Sequence, residues 1–222
     1  MSTLSFYLKS SIGKKTLMGL TGLVWSGFVL THMLGNMLIL VSPEAYNHYG
    51  HALVSNPLLP IAEAFLVLNL LVHFFCGIKL TIENRCARPD RYKACTKDEK
   101  AASVASKTMA YTGSLIMVFI ILHIITFKYG TFYPVTYGGV EMRDLHRLIV
   151  EVFHDTRYVA WYLVCLVLLG FHLSHGFASS FQSLGFRHPK YTCTIKIIGK
   201  IYAIVVALGF ISQPLYLYFL RQ

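Results

Sequence analysis

Five apolar segments, at roughly residues 17–41, 58–82, 109–127, 159–179 and 197–220, the last carrying Lys200, Ser212, Gln213 and Pro214, constrain this chain more than anything else in it. Each holds about 20 residues or more, enough to cross about 30 Å of hydrocarbon at 1.5 Å per residue. In lipid every peptide group must be satisfied inside the protein, which leaves only helices and closed barrels. Barrel strands alternate in period two over about ten residues, and these runs do not. The expected fold is therefore an all-α membrane protein with five transmembrane helices, one domain spanning residues 1–222. Composition agrees, with 55% hydrophobic and only 14% charged residues, unlike a water-soluble domain of this length. The first run follows Lys14 and Lys15 but extends well past a signal-peptide core, so it is expected to be a mature helix.

Lysine and arginine set the orientation. The N-terminal arm carries Lys9, Lys14 and Lys15. The second connection carries Arg85, Arg88, Arg91, Lys93, Lys97, Lys100 and Lys107, and the fourth Arg187, Lys190 and Lys196. The first connection, residues 42–57, has neither residue type. The third offsets Arg143, Arg147 and Arg157 with Glu141, Asp144, Glu151 and Asp155. The positive-inside rule then places the N-terminus in the cytoplasm and the C-terminus outside. The net charge of +10 is a consequence of topology, because the charges flank spans instead of forming a basic domain. No nucleic-acid partner is expected.

The connections are expected to hold some structure. Pro89 marks a helix end in the basic loop 87–107. In residues 131–155 a turn-rich Tyr-Gly-Gly precedes a run in which Met142, Leu145, Leu148, Ile149 and Val152 share one helical face, predicting a short amphipathic helix on the outer surface. Pro214 should kink the fifth span or weaken its hydrogen bonding near the end. No internal repeat is expected. The five cysteines form no Cys-x-x-Cys, which removes zinc knuckles, cysteine-held clusters and covalent haem. Cys76 and Cys165 read as apolar fillers, and the loop cysteines as reduced thiols.

Against this background four histidines stand out. His32, His73, His123 and His175 each occupy a different apolar span. A titratable ring in hydrocarbon is costly, so intramembrane histidines are functional suspects. The orientation places His32 and His123 in the outer half of the bilayer, and His73 and His175 in the inner half. Two pairs at two depths result. His172 lies three residues before His175 on the same helical side, and depth alone does not separate them. His188 reads as a surface residue, and His48, His51, His146 and His154 lie outside the membrane core.

Two imidazoles on facing helices suit the axial positions of a haem iron in an apolar slot. A zinc or di-iron site would be incomplete without carboxylates nearby. Gly19, Gly22, Gly27 and Gly35 on the first span, with Gly170 and Gly176 on the fourth, leave room for a flat macrocycle, although small residues also serve ordinary helix packing. The expectation is a bundle binding two noncovalent b haems. The competing explanation is four histidines satisfied structurally by their neighbours.

Residues 169–185, Leu-Gly-Phe-His-Leu-Ser-His-Gly-Phe-Ala-Ser-Ser-Phe-Gln-Ser-Leu-Gly, resemble the fourth-helix signature of the cytochrome b subunit of succinate dehydrogenase/fumarate reductase, in its single-subunit, five-helix, two-haem type. Leu34-Gly35-Asn36, Ala45-Tyr46-Asn47, Asn56-Pro57-Leu58, Glu83-Asn84-Arg85 with Ala87-Arg88-Pro89, and Ser106-Lys107-Thr108-Met109 are similar to the same family, so the likeness covers nearly the whole chain. The resemblance implies that the fourth-span ligand is the histidine followed by glycine, His175. It also implies a membrane anchor for a flavoprotein and an iron–sulfur subunit, passing electrons between their clusters and a membrane quinone, menaquinone, in a bacterial cytoplasmic membrane. Such a chain is part of an enzyme whose dicarboxylate chemistry lies on its partners, since the chain itself carries no flavin or succinate motif.

Two further residues are candidates. Glu63, at the start of the second span on the side of His32 and His123, could deliver protons to a quinone; the alternative is an interfacial acid facing water. Glu44 and His51 are near it in sequence. Lys79, six residues inward from His73, could meet a haem propionate, or could snorkel to the interface. Two other functions use the same features: a cytochrome b anchor for formate dehydrogenase or hydrogenase, and a transporter with a histidine relay. Transporters more often show inverted repeats and broken helices, which are not evident here.

Overall fold

A computed structural model describes residues 10–87 and 104–220 of the 222. Arg88, Pro89, Arg91, Lys93, Cys95, Lys97 and Lys100 of the basic connection, and Lys9, lie outside the described residues. Five helices are long and apolar enough to cross a membrane, at Ser11–Leu40, Leu59–Cys86, Lys107–Lys128, Thr156–Ser183 and Pro189–Phe219. In chain order the elements are α1 (Ser11–Asn36) with a short 3₁₀ turn Met37–Leu40, α2 (Pro43–Val54), α3 (Leu59–Cys86) and α4 (Val104–His123). A π turn (Ile124–Lys128), the strands β1 (Pro134–Tyr137) and β2 (Val140–Arg143), and α5 (Leu145–Phe153), α6 (Thr156–Ser183) and α7 (Pro189–Leu220) follow.

The spans extend past their apolar stretches. α1 starts at Ser11 and α7 at Pro189, adding turns that carry Lys14, Lys15, Lys190 and Lys196. A helix satisfies its own peptide groups, so nothing requires it to stop at the hydrocarbon boundary, and lysine stems can reach from there to water. Caps begin the helices where side chains can accept: Ser10 Oγ from Gly13 N at 3.0 Å, and Asp155 Oδ1 from Arg157 N at 2.9 Å. Pro214 lies within α7, which continues to Leu220.

α1 packs on α3 and α6, while α4 packs on α6 and more lightly on α3. Those four helices form a ring in which α1 and α4 occupy one diagonal and α3 and α6 the other. α7 lies outside the ring against α6 and α1. α3 is the most exposed span, with Ile61, Phe65, Leu68, Leu71 and Phe75 turned outward as a lipid-facing surface would be. At the N-terminal end of the bundle, Lys14, only 6% exposed, forms an ion pair with Glu83 that ties α1 to α3. A buried lysine without that partner would be costly.

The far end is capped by structure that the spans do not foretell. α2 is a helix in the first connection, started by Ser42 Oγ accepting from Ala45 N at 3.0 Å and by Pro43 at its first turn. Gly138 and Gly139, at φ 58° and 81°, make the two-residue turn between β1 and β2. Met142 therefore belongs to β2, not to the amphipathic helix, and is buried there. The helix itself, α5, starts one residue past Asp144, whose Oδ1 accepts from Arg147 N at 3.0 Å, and buries Leu148, Ile149 and Phe153. Asn47, 1% exposed, locks α2 to α5: its amide donates to Asp144 Oδ1 at 2.8 Å and its Oδ1 accepts from His146 N at 2.9 Å. Together α2, the 3₁₀ turn, α5, α6 and α7 enclose a core of Ile39, Tyr46, Ile149, Phe153, Val159, Tyr162 and Leu217.

Candidate functional site

The ring of four helices brings histidines together across both diagonals. His32 on α1 faces His123 on α4, with ring centroids 5.9 Å apart and planes at 89°. His73 on α3 faces His172 on α6, with centroids 6.3 Å apart and planes at 66°. His32 lies near the far end of α1, and the His73 ring lies beside Thr21 of the same helix. The two pairs are thus separated along the bundle by roughly 16 Å, the rise of the intervening part of α1.

One expected partner differs. His175, selected by the resemblance, is half-buried three residues beyond His172, and the ring the structure sets against His73 is that of His172. Three residues rotate the side chain by about 60° around the helix, and the packing of α6 turns His172 to the diagonal.

Each paired imidazole has a neighbour behind it. His73 Nδ1 lies 3.2 Å from Thr21 Oγ1 and 3.2 Å from the Met18 carbonyl. His172 Nδ1 lies 3.2 Å from Thr112 Oγ1, and His123 Nδ1 3.0 Å from the Tyr162 hydroxyl. His32 stacks on Phe28 and has the Asn36 amide nitrogen 3.3 Å from Nδ1. That amide donates to the His32 carbonyl at 2.7 Å, and Asn36 Oδ1 accepts from the Tyr46 hydroxyl at 2.8 Å. Two stretches of the resemblance, Leu34-Gly35-Asn36 and Ala45-Tyr46-Asn47, thereby have a structural role: they fasten the far-end cap to the His32 turn. Burial raises the Tyr46 phenol well above its ordinary value, keeping it a neutral donor.

The donor set limits what could bind. Among the described residues no three His, Cys, Asp or Glu side chains converge as a metal site. Two imidazoles alone fit a metal that brings its other donors with it, as a porphyrin iron does, better than a zinc ion needing three or four protein ligands. Metal–imidazole bonds of about 2 Å on either side of one ion separate ring centroids by roughly 6 Å, the spacing found in both pairs. Among the described residues the buried Trp25 Nε1 has no hydrogen-bond partner. Its ring packs edge-on against Phe28, next to His32, so a donor stands there that no described residue uses. These features fit an axially held haem.

The remaining candidates are placed as follows. Glu63 forms an ion pair with Lys128 of the π turn, at 2.5 Å, joining α3 to the end of α4 on the side of the His32–His123 pair. Glu44 instead approaches His48 at 3.7 Å, and His51 lies 3.4 Å from Ser55 Oγ. Lys79 is exposed at the opposite end and forms no ion pair among the described residues. Lys128 had no signal of its own beyond a positive charge at a span end. The π turn that carries it directly follows His123, and such turns are frequent at functional sites. No family model, curated protein or solved structure matches the chain.

Proposed function

We propose that this chain is the membrane anchor and dihaem cytochrome b subunit of a succinate:quinone oxidoreductase, a succinate dehydrogenase/fumarate reductase. The observation that carries the reading is the pair of histidine diagonals, two imidazoles each, at two levels of one four-helix ring. The family likeness noted in its sequence adds the choice of complex. Bound haem would supply one-electron transfer across the bilayer, between the iron–sulfur subunit and a membrane quinone.

The chain's own residues hold, orient and insulate. His32 with His123 would hold one iron, and His73 with His172 the other; His175 is the alternative for the second site. Phe28, Phe119 and Phe127 wall the His32–His123 pair with apolar rings, lowering the local dielectric and excluding water. Glu63, held in place by Lys128, would move protons for a quinone at the far end, which in this reading faces outward. Exposed Lys15, Lys107, Arg187, Lys190 and Lys196 gather at the N-terminal end, where the flavoprotein and iron–sulfur subunits dock from the cytoplasm of a bacterium.

The test is to purify the chain with its native partners and record the reduced-minus-oxidised spectrum, the haem content and the succinate–quinone activity. Two b haems per chain and succinate-dependent quinone reduction are expected. A chain without a haem spectrum sinks the cytochrome reading in favour of a histidine relay. Haem with formate dehydrogenase or hydrogenase partners sinks only the choice of complex.

A further inference from the structure

α1 and α4 carry the same pattern. Thr21-Gly22 is followed by His32, and Thr112-Gly113 by His123, each histidine eleven residues after its threonine. Eleven residues are about three turns, so threonine and histidine share a face and stand roughly 16 Å apart. The contacts repeat as well. Thr21 Oγ1 lies 3.2 Å from His73 Nδ1, and Thr112 Oγ1 lies 3.2 Å from His172 Nδ1. A Cβ on Gly22 would stand 3.2 Å from His73 Cε1, and one on Gly113 would stand 3.3 Å from His172 Cε1. The hairpin of α1 with α3 and the hairpin of α4 with α6 thus present the same atoms to each other.

Hydrogen-bond accounting says what the threonines do. A hydroxyl has one proton to donate. Thr21 donates its own to the Leu17 carbonyl at 2.7 Å, and Thr112 donates to the Thr108 carbonyl at 3.1 Å, the back-bond usual for threonine inside a helix. Each oxygen is then left to accept from the imidazole. The Met18 carbonyl, 3.2 Å from His73 Nδ1, can only accept. The Met18 carbonyl assigns the His73 proton to Nδ1, and the matching back-bond of Thr112 gives His172 the same assignment, which would leave the lone pair of each ring on Nε2 for a metal.

We infer that the four-helix core is a duplicated helix hairpin with a pseudo-twofold axis along the bundle, in which Thr21 and Thr112 are positioning residues for the His73–His172 pair. Gly22 and Gly113 leave the space in which those rings lie. The duplication makes His172, not His175, the counterpart of His73. A chain that shows no repeat along its length shows one in these contacts, because only a threonine, a glycine and two histidines per hairpin are held in common. The inference rests on the dihaem reading.

The experiment uses the purified native complex with Thr21→Val, Thr112→Val and the matching serine variants. Haem content, the low-temperature electron paramagnetic resonance signals and the midpoint potential of each haem are measured. Both valine variants should keep two haems and shift the signal and potential of the same haem, the one that His73→Ala removes. The serine variants, which keep the hydroxyl, should match wild type. Should a valine variant fail to assemble, Thr→Ala at that position replaces it. Unmoved signals, shifts in the haem that His32→Ala removes, or different haems responding to the two positions would overturn the inference while leaving the dihaem reading intact. A wild-type complex without haem overturns both.

Discussion

The Tyr162 hydroxyl sits 3.0 Å from His123 Nδ1, with the tyrosine only 6% exposed. Phe119, Phe127 and Phe153 pack around its ring, and Tyr158 stacks on it. Tyr162→Phe keeps that packing and deletes one hydrogen bond to a ligand candidate. The expected result is retention of two haems with an altered spectrum for the His32–His123 site, and a stability loss of about 0.5–1.5 kcal/mol. Spectra of the variant complex and its thermal denaturation check both parts.

On the dihaem reading, the two facing histidine pairs make a site-by-site prediction. His32→Ala and His123→Ala should remove the same haem, and His73→Ala the other, since an iron losing one axial imidazole is five-coordinate at best. His172→Ala should behave like His73→Ala, whereas His175→Ala should retain both haems. Haem stoichiometry of the single variants decides it, and the reverse result for the two α6 histidines assigns the ligand to His175.

Gly22 is a steric gauge of the same site. A Cβ there would lie 3.2 Å from His73 Cε1 and 3.1 Å from Ser180 Oγ, tighter than ordinary contact. Gly22→Ala should displace the imidazole by a few tenths of an ångström and shift the spectrum of the His73 site. Gly22→Leu, too large for any such adjustment, should lower the haem count from two towards one, measured as pyridine haemochrome per chain.

Glu63 and Lys128 should act together. If the carboxylate moves protons for a quinone, Glu63→Gln keeps haem content and assembly but slows succinate–quinone turnover on the order of 10- to 100-fold. Lys128→Met should slow it too, by removing the charge that holds the carboxylate in place. Succinate oxidation by a water-soluble acceptor should persist in both. Unchanged quinone turnover in both variants would leave the pair a structural tie between α3 and α4.

Asn47 gives the contrasting case. Asn47→Ala deletes the hydrogen bonds to Asp144 Oδ1 and from His146 N at a nearly fully buried position, at a cost of about 1–3 kcal/mol. Hydrogen exchange should quicken in α2 and α5, while both haem spectra stay at their wild-type positions. A haem shift here would mean that the far-end cap reaches the His32 site through Tyr46 and Asn36.

The five long apolar helices and the level of each histidine along its helix follow from the sequence by itself, because hydrocarbon thickness and the demand for satisfied peptide groups leave a 20-residue apolar run little freedom. The Tyr-Gly-Gly turn and the surface helix at Leu145–Phe153 are legible for equally local reasons: paired glycines allow positive φ, and an apolar stripe has a period. Sequence spacing could not tell His172 from His175, which differ by about 60° around one helix; the rotation of α6 is set by how it packs against α1, α4 and α7. Nor could it pair Glu63 with Lys128, Asn47 with Asp144, or Thr21 with His73, since each joins residues far apart in the chain. Tertiary structure decided those because hydrogen bonds and ion pairs act over about 3 Å, and only the packed bundle specifies positions that finely.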